Sequence, residues 1–166
     1  MAITITLYGA VFALLVIATF TDIARLRISN AIPIAIAVLF LPYAVATQIT
    51  ISDFGWHIAA GSSVLAIGFL LFAAGAKFGG GDAKLLAALS LWCGFSKLAA
   101  LFLVTSVVGG VLAILVFLLR QSPLPTWLSL RGVNIPALTT DRSLAYVPFA
   151  PAMAISFILV GPAYHP

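Results

Sequence analysis

The sequence predicts an all-α, polytopic membrane protein with about six transmembrane helices, and three observations carry that prediction. Hydrophobic residues fill 63% of the 166 positions and charged residues only 7%, a balance that excludes a soluble globular domain. The apolar residues form long continuous runs rather than short alternating segments, so the backbone is satisfied within helices and not around a barrel. At about 20 residues per crossing, residues 1–166 make a single membrane domain with no room for a separate soluble one. Finally, seven of the eight Lys and Arg residues fall on one side once the spans are laid out.

The first span runs from Ile3 to about Thr21. It lacks a basic n-region and exceeds an ordinary signal h-region, so it is expected to be retained. A short polar link, Asp22 to Asn30, carries Arg25 and Arg27. The second span covers about Ala31 to Thr47, with Pro33 in its first turn, where a missing N–H costs little. Gln48 to Gly55 is expected to be a loop holding Asp53. The third span, about Trp56 to Ala76, opens on an aromatic anchor.

Lys77 to Lys84 is a glycine-rich loop, Lys77-Phe78-Gly79-Gly80-Gly81-Asp82-Ala83-Lys84. The fourth span, Leu85 to Cys93, is short unless it begins near Asp82 and continues through Gly94. Phe95-Ser96-Lys97 is expected to turn the chain into a fifth span, about Leu98 to Leu119. Arg120 to Ala145, with Pro123, Pro125 and Pro136, reads as an irregular or interfacial connection. The sixth span, about Tyr146 to Val160, is expected to be kinked at its start by Pro148 and Pro151.

On this layout Arg25, Arg27, Lys77, Lys84, Arg120, Arg131 and Arg142 share one side and Lys97 lies on the other. The rule that cytoplasmic loops gather Lys and Arg then makes the first side cytoplasmic and places both termini outside. The same rule accounts for the net charge of +4, so the charge does not point to nucleic acid. The implied partner is the lipid bilayer of the cytoplasmic membrane. The sequence sets no oligomeric state. A lone Cys93 excludes an intrachain disulfide, no Cys/His cluster offers a metal site, and no cofactor is implied.

There is no Glu, so carboxylate chemistry must draw on Asp22, Asp53, Asp82 and Asp141. Asp22 closes the first span and Asp82 opens the fourth, at similar depth on the cytoplasmic side. Three glycines before Asp82 let the backbone turn tightly or accept close approach by another segment. Two converging carboxylates can act as an aspartic dyad: one takes a proton from water while the other polarises a peptide carbonyl. Helix ends suggest a division of labour, with Asp82 at an N-terminus favoured as the anion and Asp22 at a C-terminus disfavoured.

At these residues the sequence resembles a known family. Gly79-Gly80-Gly81-Asp82 matches the Gly-x-Gly-Asp motif of intramembrane-type aspartic proteases, and Ala83-Lys84-Leu85 is similar to the continuation in prepilin peptidases. Asp22 with Arg25, Arg27, Ile28 and Asn30 resembles the family's first-aspartate motif, with Ser29 in place of a proline. Tyr146 to Ala152 is similar to the start of the family's last span.

The resemblance implies a leader peptidase that cuts type IV or Flp-type prepilins at the cytoplasmic membrane face, with Asp22 and Asp82 catalytic. Gly79, Gly80, Gly81, Lys84 and Asn30 would support that site. Larger members carry a further cytoplasmic domain with paired cysteines and also methylate the new N-terminus. This chain resembles the short form, for which methylation is not expected.

Other residues have plainer readings. Lys84, two positions past Asp82, points to a different helix face and reads as a charge anchor. Asn30 reads as a helix cap. Asp53 and Asp141 read as loop residues, and His57 and His165, both on the outer side, as unsuited to a general base. Cys93 and Trp92 read as packing residues. The alternative function is a small proton-coupled transporter or channel subunit with Asp22 and Asp82 as a proton relay. A non-catalytic assembly subunit would not need two acids at matched depth.

Overall fold

The computed structural model describes residues 2–75, 79–133, 135–139 and 147–162. Lys77, Phe78, Asp141, Arg142, Tyr146 and His165 lie outside the described residues. Every regular element among those described is a helix: α1 (Ala2–Arg25), α2 (Ala31–Ala46), α3 (Ile51–Ala73), α4 (Gly80–Gln121), α5 (Leu124–Leu130), α6 (Pro136–Thr139) and α7 (Ala150–Val160). α1, α3 and α4 are each long and apolar enough to cross a membrane, and α2 and α7 are shorter apolar helices.

α4 holds two of the expected spans, for it breaks at Gly94 (φ 60°, ψ 179°). That backbone region is open essentially to glycine alone, so Gly94 folds residues 80–93 and 95–121 into two arms. The reversal therefore falls at Gly94, ahead of the Phe95–Lys97 turn expected from sequence. A helix end leaves carbonyls without their i+4 donors. His57 of α3, buried against the break, sets Nδ1 2.7 Å from the Leu91 carbonyl. Its ring fills the space a Cβ at position 94 would need. His57 is thus a buried core residue at the end of the bundle remote from Asp22.

Two other boundaries differ from the sequence expectation. α3 begins at Ile51, because Thr50 Oγ1 accepts the Asp53 N–H at 3.2 Å and donates to Asp53 Oδ2 at 2.7 Å. Asp53 is therefore part of a reciprocal helix cap rather than a loop residue. α7 begins at Ala150 with Pro151 in its first turn. There the ring replaces an N–H that has no intrahelical partner, so the prolines set the start of the helix instead of kinking it. The long connection contains α5, whose exposed Trp127 carries the Arg131 guanidinium 4.1 Å above its ring.

The core lies where α1, α2, α7 and the first arm of α4 meet. Trp92, Tyr43, Phe40, Leu15 and Leu89 are fully buried there. Trp92 stacks on Tyr43 with ring centroids 4.8 Å apart and donates Nε1–H to the Ile36 carbonyl at 2.9 Å. Both Trp92 and Cys93 are buried packing residues, as expected. α3 and α4 approach closely at Gly61, where a Cβ would lie 3.1 Å from that of Leu91, the kind of contact small residues permit in membrane bundles. The outward faces carry exposed Ile5, Phe12, Phe69, Val111 and Phe117, a surface suited to lipid and not to water.

Candidate active site

Asp22 sits in the last turn of α1 and is buried, with 6% of its surface exposed. Its backbone carbonyl accepts the Leu26 N–H at 2.8 Å, and Leu26 ends the helix in the left-handed region at φ 51°. The chain then turns back through Ser29. Ser29 Oγ accepts the Ala31 N–H at 3.4 Å and its carbonyl the Ile32 N–H at 3.1 Å. These bonds shape a turn where the family motif has proline.

This link is stitched to the start of α4. Ile28 lies against Gly81, where an added Cβ would come within 3.1 Å of the Ile28 Cβ. Lys84 Nζ donates to Asn30 Oδ1 at 2.9 Å. Asn30 precedes α2 but makes no side-chain cap bond, so its expected capping role is replaced by this bond. Lys84, read from its helix face as a charge anchor and from the resemblance as a residue supporting the site, ties α4 to the link that follows Asp22.

Asp82 is the third residue of α4, following Gly79 at the cap position. The three glycines before it have different tasks. A Cβ at Gly79 would sit 2.5 Å from Asp82 Oδ2, whereas one at Gly80 would meet nothing nearer than 4.0 Å. Gly79 makes room for the carboxylate, Gly81 makes room for Ile28, and Gly80 is open. Gly79 itself is in an ordinary extended conformation (φ −65°, ψ 125°), so space rather than a left-handed turn requires glycine there.

The two carboxylates come near enough for the charge of Asp22 to act on Asp82. Asp22 Oδ2 also accepts the Ala150 N–H at 3.0 Å, and the Phe149 N–H is directed at the same carboxylate. Asp22, at the C-terminal end of α1, therefore caps the N-terminus of α7. Both acids thus stand at a helix N-terminus, so the helix-end argument that separated their roles loses its basis. Sequence reasoning missed these two amides. The signal for them was the pair Pro148 and Pro151, which bracket a helix start.

Of the expected site residues, Asp22, Asn30, Gly79, Gly81, Asp82 and Lys84 form one contiguous region, with Gly80 beside them. Asp53 lies apart, at the start of α3. Among the described residues, no group of His, Cys, Asp and Glu is placed to hold a metal ion.

This arrangement defines a helical membrane protein with a pair of carboxylates delivered by two different helices. The model of the type IV leader peptidase family matches residues 9–114. The chain belongs to that family and is a peptidase. The match includes Asp22, the stitched link, the glycines and Asp82, while α7 lies beyond it. Comparison with curated proteins and with solved structures yields no match.

Proposed function

We propose that the protein is an aspartic endopeptidase that removes the leader of type IV prepilins of the Flp class, without methylating the new N-terminus. It would act at the cytoplasmic face of the cytoplasmic membrane. The observation that carries this reading is the convergence of Asp22 and Asp82 from α1 and α4 at one end of the bundle. Membership of a peptidase family favours hydrolysis over the proton-relay alternative.

The chemistry follows from the pair. One carboxylate, ionised, takes a proton from a water whose oxygen attacks the scissile carbonyl carbon. The other, protonated, gives a hydrogen bond and then its proton to the carbonyl oxygen. The tetrahedral diol collapses as the carbon–nitrogen bond breaks and a proton passes to the leaving amine. Two carboxylates that share a proton in this way would titrate as a unit. The Ala150 N–H fixes the orientation of Asp22, as either role in this step requires.

The test is a cleavage assay on a prepilin with the purified full chain in membranes. Asp22→Asn and Asp82→Asn should each abolish cleavage, and the double variant should lose no more, since residues acting as a unit are non-additive. Asn at position 22 still offers an oxygen to the Ala150 N–H, so the fold is kept. Asp53→Asn and Asp141→Asn should retain most activity. Cleavage by Asp82→Asn at near wild-type rate would show the aspartic reading to be wrong.

A further inference from the structure

A groove of about 470 Å³ runs along the first arm of α4, between α2 and α3. Ala87 and Ala88 make its floor, and Ile34, Ile58 and Leu65 its walls. These three wall residues are exposed, so the groove opens sideways toward the surroundings of the bundle. Neither Asp22 nor Asp82 lines it. Two residues of helix place Lys84 about 200° around α4 from Asp82, so the groove and the carboxylate pair occupy different faces.

The mouth of this groove is Asn30 and Lys84, and its chemistry is one-sided. The bond from Lys84 Nζ occupies Asn30 Oδ1, which leaves the Asn30 amide hydrogens and the remaining ammonium hydrogens directed elsewhere. The first turn of α2 begins at the same point and adds the positive end of a helix. Arg25 and Arg27 are exposed on the adjoining link, and no acid lines the groove. The mouth therefore presents donors and positive charge above an apolar trough. From Lys84 to Leu91 the trough extends about 10 Å along the helix axis.

We propose that this groove binds an anionic phospholipid, with one acyl chain along Ala87 and Ala88 and the phosphate held by Lys84 and Asn30. An apolar segment of substrate would use the trough but has no need of an anion site at its mouth, so the charge pattern favours lipid. A lipid held there braces α4 against the link that carries the chain from Asp22 to α2. The inference does not depend on the catalytic assignment.

The full chain is placed in nanodiscs of phosphatidylcholine, with or without phosphatidylglycerol, and the lipid kept on release is measured by native mass spectrometry. Wild type should retain phosphatidylglycerol in preference to phosphatidylcholine. Lys84→Gln should lower that preference about fivefold, the weight of one basic residue at a membrane surface. Ser62→Phe, entering the groove from an exposed position, should reduce retention of both lipids, with circular dichroism checking its fold. Equal retention of the two lipids by wild type overturns the proposal, and so does an unchanged preference in Lys84→Gln. Capture of prepilin instead of lipid by a photoreactive probe at Ser62 assigns the groove to substrate and also overturns it. Should a variant fail to fold, the wild-type comparison decides alone.

Discussion

Position 79 shows how much one missing methyl group decides. A Cβ there would overlap Asp82 Oδ2 at 2.5 Å, and the carboxylate, at the end of a rotatable side chain, has to give way. Gly79→Ala leaves the backbone conformation allowed but moves the carboxylate. A displacement on the order of 1 Å at a reacting group costs about 10²-fold in rate. Gly79→Ala should therefore lower kcat about 10²-fold, while Gly80→Ala, with open space around it, should stay within about twofold. Steady-state cleavage kinetics of the two variants check this, and equal losses would place the requirement in backbone flexibility. The spacing Gly-x-Gly-Asp was legible in the sequence, as was the candidate pair it belongs to. Why each glycine is needed was not, because the reason lies in the neighbours that Asp82 and Ile28 provide. Asn30 teaches the same lesson, since its partner Lys84 is far away in the chain.

At the scale of elements, α7 is held at both ends by side chains of other helices. Asp22 takes the Ala150 N–H at its start. At its end, Lys97 Nζ donates to the carbonyls of Val160 at 3.3 Å and Pro162 at 2.7 Å. An acid at the N-terminus and a base at the C-terminus both complement the helix dipole. Lys97, read from sequence only as the odd cation on the outer side, is thus a C-terminal clamp. Lys97→Met should destabilise the protein by about 1–2 kcal/mol and slow cleavage, because α7 carries the amide that orients Asp22. Lys97→Arg should restore part of both, with thermal unfolding in detergent as the readout. His57 has a comparable structural task at the Gly94 break. His57→Leu leaves the Leu91 carbonyl uncapped, at a cost of about 1–3 kcal/mol, and the folded fraction should cleave at the wild-type rate. Loss of cleavage with unchanged thermal stability would instead put His57 in the chemistry. The sequence announced the six apolar runs well, but not these tertiary caps, which join residues far apart in the chain.

For the whole molecule, the alternation of apolar runs and cations was the most legible feature, and the structure sets Asp22 and Lys97 at opposite ends of α7. The second arm of α4 passes the level of Asp22, where Gly109 meets the Phe149 ring, and continues for about three more turns to Arg120. Arg120 and the carboxylates therefore share one end of the bundle, and Arg25, Arg27 and Lys84 belong to the same end through the stitched link. If that end is cytoplasmic, as the cation rule requires, single cysteines at Ser29, Gly80 and Thr126 should react in intact cells only with membrane-permeant reagents. Ser29 and Thr126 are exposed and Gly80 has room for a side chain, so these replacements leave the fold alone. Gln48→Cys, exposed on the link between α2 and α3, should react with impermeant reagents as well. The native Cys93 is buried and keeps the background low. Labelling of Gly80→Cys by an impermeant reagent from outside would reverse the orientation and move the carboxylate pair away from the cytoplasm, where the leader of a newly made prepilin is first presented.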